Sequence, residues 1–387
     1  MKKRLIIIFL TAVLLSAMFF VCASAAENGG AQIICIARDG ECVSCPAYSR
    51  QAIKNAARLG ADAASVGVKK TADGVLVTLR SDELSAAFYG VTGKVSETDY
   101  KTLSSYRLKD FDGSETKYHV STLSDVLKEE ITLVIDGWEY RDEIAREVKE
   151  LSAENRVKLR VRTDADEAAL WSRENGIDVI GIYYGNIIFS AISHIKALSD
   201  GQDSWVQLQS GNFFSVLFNS YVMKKCAALS VKPVCAMYDA QLCGKRTDTV
   251  QGFDDIISRG FSVIETNQPA LLVNYIRQAD LQKKELEELN EKAKAALANG
   301  EYSSASSQRA LQAVEQAQAV LGKTPSQLEI QRCTAELKAA VKALCPPDGD
   351  EIERDSLNVT PGKVIAVIIF GALVAAAQVY VYKKKIK

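Results

Sequence analysis

Residues 131–183 read ITLVIDGWEYRDEIAREVKELSAENRVKLRVRTDADEAALWSRENGIDVIGIY. Three β-branched apolar runs, Ile131–Ile135, Val157–Arg162 and Asp178–Tyr183, alternate here with two helix-period segments, Glu139–Leu151 and Glu167–Asn175. Strands separated by helices of this length pair in parallel, because a parallel neighbour needs a long crossover. The pattern extends in both directions. Further strands are expected at Gln32–Ala37, Ala64–Val68, Val75–Leu79, Trp205–Gln209, Pro233–Tyr238 and Ser262–Glu265, with helices at Tyr48–Leu59, Phe213–Ala228 and Thr249–Ser258. Roughly eight such units between residues 31 and 277 predict an α/β fold, a closed (β/α)8 barrel of the TIM type. An open doubly wound sheet is the alternative, although no Gly-rich phosphate fingerprint follows the first strand. In a barrel, a site belongs on the loops after the strand C-terminal ends.

The whole chain has 387 residues, 47 basic and 48 acidic, with 48% hydrophobic and 25% charged. This is the composition of a folded protein with more than one unit, and it excludes wholesale disorder. A net charge of −1 gives no basis for nucleic-acid binding. Only two histidines are present, His119 and His194, so a histidine-rich metal site is excluded.

Both ends carry membrane signals. Met1-Lys2-Lys3-Arg4, an apolar run from Leu5 to Val21 and Ala23-Ser24-Ala25 form a secretory signal peptide over residues 1–25. Val364–Tyr382 is a 19-residue apolar run broken by Gln378, long enough to cross a bilayer as a helix. Tyr380 and Tyr382 suit an aromatic belt, and Lys383–Lys387 marks a cytoplasmic tail. The expected protein is therefore exported and held in the cell membrane by one C-terminal helix. Without the signal peptide its charge becomes −4, and without Lys363 and the four tail lysines −9.

Cys35, Cys42, Cys45, Cys226, Cys235, Cys243, Cys333 and Cys345 remain after processing, an even count that permits disulfides. Cys42-Val43-Ser44-Cys45 has the spacing of a metal half-site, but with no second pair a local disulfide or free thiols are the better readings. Cys333 and Cys345 would stand about 18 Å apart on one straight helix, too far to bridge unless the chain reverses between them.

After the alternating region, residues 281–344 become rich in Ala, Glu, Lys, Gln and Leu. Three helices are expected, Leu281–Ala298, Ser303–Leu321 and Pro325–Leu344, as an all-α bundle, with an exposed stalk at 345–362. Glu301-Tyr302-Ser303, Ala310–Val314 and Ala335–Val341 make this segment similar to the FIVAR module. That resemblance implies a surface protein of a Gram-positive bacterium and a spacer, or a module that binds glycan or protein.

The barrel carries a second resemblance. Cys45-Pro46-Ala47-Tyr48-Ser49-Arg50-Gln51-Ala52-Ile53, Leu59-Gly60-Ala61-Asp62 and Lys70–Val77 resemble the opening of the glycerophosphodiester phosphodiesterase family. Thr92–Val95 and Thr122–Leu127 suit its later segments, and Gly260–Pro269 resembles its closing G-V-D-G-I-I-T-D-x-P. The family hydrolyses phosphodiesters with two histidines as acid and base and acidic residues that hold a divalent metal.

Those residues are missing from this chain. Ala37-Arg38-Asp39 stands at H-R-G, Ser65-Val66-Gly67 at the metal-binding E-x-D, and Ala47 at the P-E-N-T glutamate. The second histidine falls at Arg80, with Ser81 where an aspartate follows it, and the arginine expected beyond falls near Ala86. Arg38 keeps its place, and Asp136 is a stand-in for the acidic residue after the next central strand. A hard cation needs several oxygen ligands, and a guanidinium cannot shuttle protons. The family's Ca or Mg site is therefore expected to be lost, leaving no metal, no cofactor and Arg38 and Asp136 as vestigial catalytic positions. The barrel reads as a pseudoenzyme that binds or scaffolds at the cell envelope. The alternatives are a phosphodiesterase rewired around Arg38, Asp39, Glu41 and Asp136, and a structural display protein.

A ligand site is expected at Arg38, Asp39, Glu41, Arg80 and Asp136, with Lys69 nearby, gripping a phosphorylated or glycan envelope ligand. Internal salt bridges filling the vacated site are the equal alternative. Trp138 and Tyr183-Tyr184 suit a stacking wall or simple rim packing. Each histidine is expected to be structural or solvated.

Overall fold

The computed structural model describes residues 32–185, 187–199, 204–209, 216–236 and 248–345. Eight parallel strands close into a barrel: β1 Ile34–Arg38, β2 Ala63–Gly67, β3 Thr132–Asp136, β4 Val157–Val161, β5 Asp178–Tyr184, β6 Trp205–Gln209, β7 Lys232–Cys235 and β8 Val263–Thr266. Each pairs with its chain neighbours, and β8 returns to β1 with Ile34 opposite Val263. The open doubly wound alternative is thereby excluded.

Helices cover the barrel: α1 Arg50–Leu59, α2 Arg141–Glu150, α3 Ala165–Asn175, α4 Ile188–Ala197, α5 Ser220–Ala228 and α6 Val250–Ser258. Their starts follow local chemistry, since Ser49, Asp164, Asn219 and Thr249 each accept a backbone N–H of the first turn. Their apolar stripes meet the outward residues of the strands in one core that includes Ile53, Leu133, Ile144, Leu159, Ile195 and Phe253.

Between β2 and β3 the regular helix is replaced by a long excursion. Val75–Leu79, expected as a barrel strand, contributes only Leu76–Val77, paired antiparallel with Lys69–Lys70 outside the barrel. The excursion has its own small core of Val77, Leu79, Leu84, Phe88, Val95, Leu103, Leu108 and Val120. Its apolar alternation serves that core, which is why the run looks like a buried strand.

The expected break between barrel and bundle at 277–281 lies inside a single helix. α7, Pro269–Asn299, begins at the mouth after β8 and runs on for 31 residues. It packs with α8, Ser304–Leu321, and α9, Gln327–Lys342, around Leu286, Ala293, Val314, Ala317, Ile330, Cys333 and Leu337. A capping box of Ser326 and Glu329 starts α9. The bundle is tied to the barrel through Tyr275, whose hydroxyl donates to Asp254 at 2.7 Å and accepts from the Gln327 backbone at 2.8 Å.

The signal peptide, the stalk beyond Cys345, the span and the tail lie outside the described residues, as do Cys243 and the ends of the Pro233–Tyr238 and Phe213–Ala228 expectations. Among the described residues no helix is long and apolar enough to cross a membrane, and Cys35, Cys42, Cys45, Cys226, Cys333 and Cys345 are free thiols.

Candidate functional site

Alternation along the strands decides what lines the lumen. Ile36, Val134, Ile180 and Val234 point inward from β1, β3, β5 and β7, joined by Ala63, Trp205 and Val263 in an apolar plug. The next inward positions of β2, β4, β6 and β8 are Ser65, Arg160, Gln207 and Glu265, all buried and all polar. Above that layer lies the mouth, with Asp136 in register with both Gly67 and Arg160.

Two guanidinium groups organise the mouth. Arg80 Nε donates to Asp39 Oδ1 at 2.6 Å, Nη1 to Asp136 Oδ2, and Nη2 to Ser65 Oγ at 2.9 Å. Arg160 Nη1 lies 3.2 Å from the same Asp136 oxygen, and Nη2 lies 3.1 Å from Glu265 Oε2. The result is a continuous chain of charge, Asp39–Arg80–Asp136–Arg160–Glu265, across the barrel top.

The two aspartates on Arg80 are tuned in opposite directions. Burial raises the Asp39 carboxyl above the ordinary carboxylate range, against the pull of Arg80 and Arg38. Burial acts on Asp136 too, but Arg160 and Arg80 together hold it below that range. Asp39 sits on a left-handed turn, φ 56°, followed by Gly40 at φ 90°, where a Cβ would lie 2.6 Å from the Ala52 carbonyl carbon. That close approach requires glycine and fixes where Asp39 points.

Gly67 ends β2 directly beneath Arg80. A Cβ on it would stand 2.5 Å from Arg80 Cγ and 2.8 Å from the Leu79 carbonyl oxygen, so no longer side chain fits there without moving backbone. Ser65 is spent on Arg80. Among the described residues, no group of three or more His, Cys, Asp or Glu side chains is arranged to hold a metal ion.

A cleft of about 320 Å³ opens beside these charges, lined by Lys69, Trp138, Glu139, Arg162 and Ile182 together with Arg80, Asp136 and Arg160. Lys69 Nζ bonds Glu139 at 2.7 Å, and Arg162 Nη2 donates to Gln209 Oε1 at 2.9 Å. Trp138 packs edge-on against Trp171 with Arg141 over its ring, so its face is occupied by the protein's own groups. Tyr183 donates to the Ile187 carbonyl at 2.9 Å, while Tyr184 is exposed.

Asp39, Arg80 and Asp136 thus come together as the sequence reading expects, and Arg38 acts electrostatically on Asp39 beside them. Glu41 does not join them. It turns into its own loop, accepting from the backbone N–H groups of Val43 and Ser44. Cys42 Sγ lies 3.2 Å from the Asp39 carbonyl oxygen, and Cys45 Sγ accepts from Asn55 at 3.1 Å. His119 is exposed beside the Tyr106 carbonyl, and His194 lies in α4, away from the charge network.

Arg160, Gln207 and Glu265 escaped the sequence reading. The signal was in Val157-Lys158-Leu159-Arg160-Val161-Arg162, where three cations alternate with three apolar residues. On a barrel strand whose outer face packs against helices, such alternation places the cations in the lumen.

Neither a family model nor a curated protein matches the sequence. Solved structures match its fold. A glycerophosphoryl diester phosphodiesterase from Parabacteroides distasonis ATCC 8503 superposes with a TM-score of 0.55 at 17% identity, covering 66% of this chain and 89% of that one. A putative glycerophosphoryl diester phosphodiesterase from Agrobacterium tumefaciens str. C58 gives 0.50 at 12% identity, covering 65% and 99%. A putative glycerophosphodiester phosphodiesterase from Galdieria sulphuraria gives 0.50 at 11%, covering 64% and 99%. The barrel has the fold of those phosphodiesterases.

Proposed function

We propose that this barrel is a non-catalytic relative of the glycerophosphodiester phosphodiesterases, exported, anchored in the cell membrane by its C-terminal segment, and acting by binding or scaffolding at the envelope. The observation that carries the reading is the position of Arg80. Its guanidinium pairs with both Asp39 and Asp136 from within the chain, so the carboxylates at the mouth already share a cation. Gly67 has no room for a side chain and Ser65 carries no charge, which leaves too few oxygen ligands for calcium or magnesium. The helical bundle, similar in sequence to FIVAR, serves as a spacer in this reading.

The cleft beside Trp138 suits a small phosphate- or carboxylate-bearing ligand, with Arg162 the cation on its rim. Calorimetric titration of calcium and of magnesium into the exported part, residues 26–360, tests the loss of the metal site. The reading expects no saturable heat for either ion. Stoichiometric binding abolished by Asp136→Asn would overturn it.

A specific observation favours the second reading, a rewired phosphodiesterase. Asp39 and Asp136 share one guanidinium and are pushed to opposite sides of the ordinary carboxylate range, as an acid and a base on one site are. In that case Asp39 would carry the proton and Asp136 the charge.

A further inference from the structure

The mouth and Cys345, the residue before the expected stalk, lie at opposite ends of the body. α7 starts at the mouth, because Pro269 follows β8 within three residues. It then passes the base of the barrel, where Arg277 Nη2 donates to the carbonyl of Leu59 at the end of α1. Ile276, Ala279, Asp280 and Lys283 line a cleft there with Gln32 and Ile33, the residues just before β1. From that level α7 continues to Asn299. α8 returns toward the barrel and α9 descends again, ending beside the turn between α7 and α8. There the backbone N–H of Ser303 donates to the Cys345 carbonyl at 2.9 Å. Cys345 therefore sits at the foot of the bundle. At 1.5 Å per residue, the 31 residues of α7 put about 46 Å between mouth and foot.

The joint between barrel and bundle is stiff. α7 belongs to both units, and α9 is pinned at its start by Gln327 to Tyr275 and by the Leu328 backbone to Asp254 at 3.1 Å. A flexible hinge at this level would have to break a helix together with these bonds.

Resting on the proposed C-terminal anchor, we infer that the barrel presents its mouth away from its own bilayer and engages an anionic ligand in trans. That ligand is a phosphate- or carboxylate-bearing molecule in solution or on another surface, and not a headgroup of the membrane that holds the chain. Seventeen residues separate Cys345 from Lys363, enough chain for the body to tip over. Charge opposes tipping. The exported part carries −9 and as a whole body is repelled by a continuous anionic surface, whereas a single small ligand in the cleft beside Trp138 meets Arg162 and Lys69 at close range. Tyr184 at the end of β5, Ile187 after it and Phe189 in the first turn of α4, exposed by 63%, 62% and 80%, stand at this outward end.

The test uses the full-length chain in vesicles with an acceptor dye at the lipid surface. A donor is attached through p-azidophenylalanine at position 189, at the mouth, or at position 301, at the foot. Vesicles are phosphatidylcholine alone or with phosphatidylglycerol. The expected result is energy transfer greater from 301 than from 189 in both, by about fivefold, in the direction set by a separation of about 46 Å. Equal transfer from the two positions, or transfer from 189 that rises with phosphatidylglycerol, overturns the inference while leaving the anchor intact. Failure of the chain to float with the vesicles overturns the anchor and this inference together.

Discussion

A Cβ on Gly67 would stand 2.6 Å from the Cα of Arg80, closer than side chains approach backbone in folded proteins. The last residue of β2 and the first residue of the excursion beyond Leu79 are packed directly on one another. This contact places the Arg80 guanidinium between Asp39, Asp136 and Ser65. An acidic residue placed at 67 would displace Arg80 before it could supply a ligand.

Gly67→Asp is therefore expected to destabilise the protein by about 2–4 kcal/mol, combining overpacking with a new buried charge. Urea denaturation reads the loss. Unchanged stability accompanied by new calcium binding would show that the contact yields easily.

Arg80→Ala leaves two carboxylates facing one another around a void. Loss of one partner of a buried pair costs about 3–5 kcal/mol, and the partial exposure of Arg80 places this case at the lower end. Arg80→Lys should recover only part of the loss, since an ammonium cannot reach Asp39, Asp136 and Ser65 in one plane.

The two aspartates should respond oppositely to neutralisation. Asp136 has a lowered folded-state value, so its contribution is present above the ordinary range and is lost as pH falls through the folded value. Asp39 has a raised value, so its ionisation costs stability as pH rises through the ordinary range toward the folded value. At pH 7, Asp136→Asn should destabilise, while Asp39→Asn should be neutral or stabilising. Urea midpoints at pH 7 and at about pH 2.5, below the ordinary carboxylate range, check both signs, with the Asp136→Asn deficit and any Asp39→Asn gain both shrinking at the lower pH.

Tyr275→Phe removes one hydroxyl that serves Asp254 in the barrel and Gln327 in the bundle. A cost of about 1–3 kcal/mol is expected, because the Gln327 backbone donor loses its acceptor. Calorimetry should show a single unfolding transition in the parent chain and a broadened or split one in the variant.

The barrel was legible because its strands follow a plain rule, apolar and β-branched runs divided by helix-period segments. Ile131–Ile135 and Trp205–Gln209 fall within a residue of the observed β3 and β6. Val75–Leu79 misled because a small satellite core demands the same apolar alternation as a sheet. The helix boundary near 281 was invisible, since α7 changes partners from barrel to bundle without any interruption of helix propensity.

That Asp39, Arg80 and Asp136 share the barrel mouth was legible through the spacing of the motifs that resemble the phosphodiesterases. Glu41 was misplaced because a local turn competes for its carboxylate, and two backbone N–H groups next to it win. Gln207 could not have been found from composition. Among the described residues neither of its amide atoms has a hydrogen-bond partner, and the side chain is fully buried.

The most direct measurement is hydrolysis of glycerophosphodiesters by residues 26–360 with calcium or magnesium and with a chelator as control. The account predicts product formation no higher with either metal than with the chelator. Metal-dependent turnover that disappears in Asp136→Asn would contradict it, and would show that Asp39 and Asp136 have rebuilt a working site around Arg80.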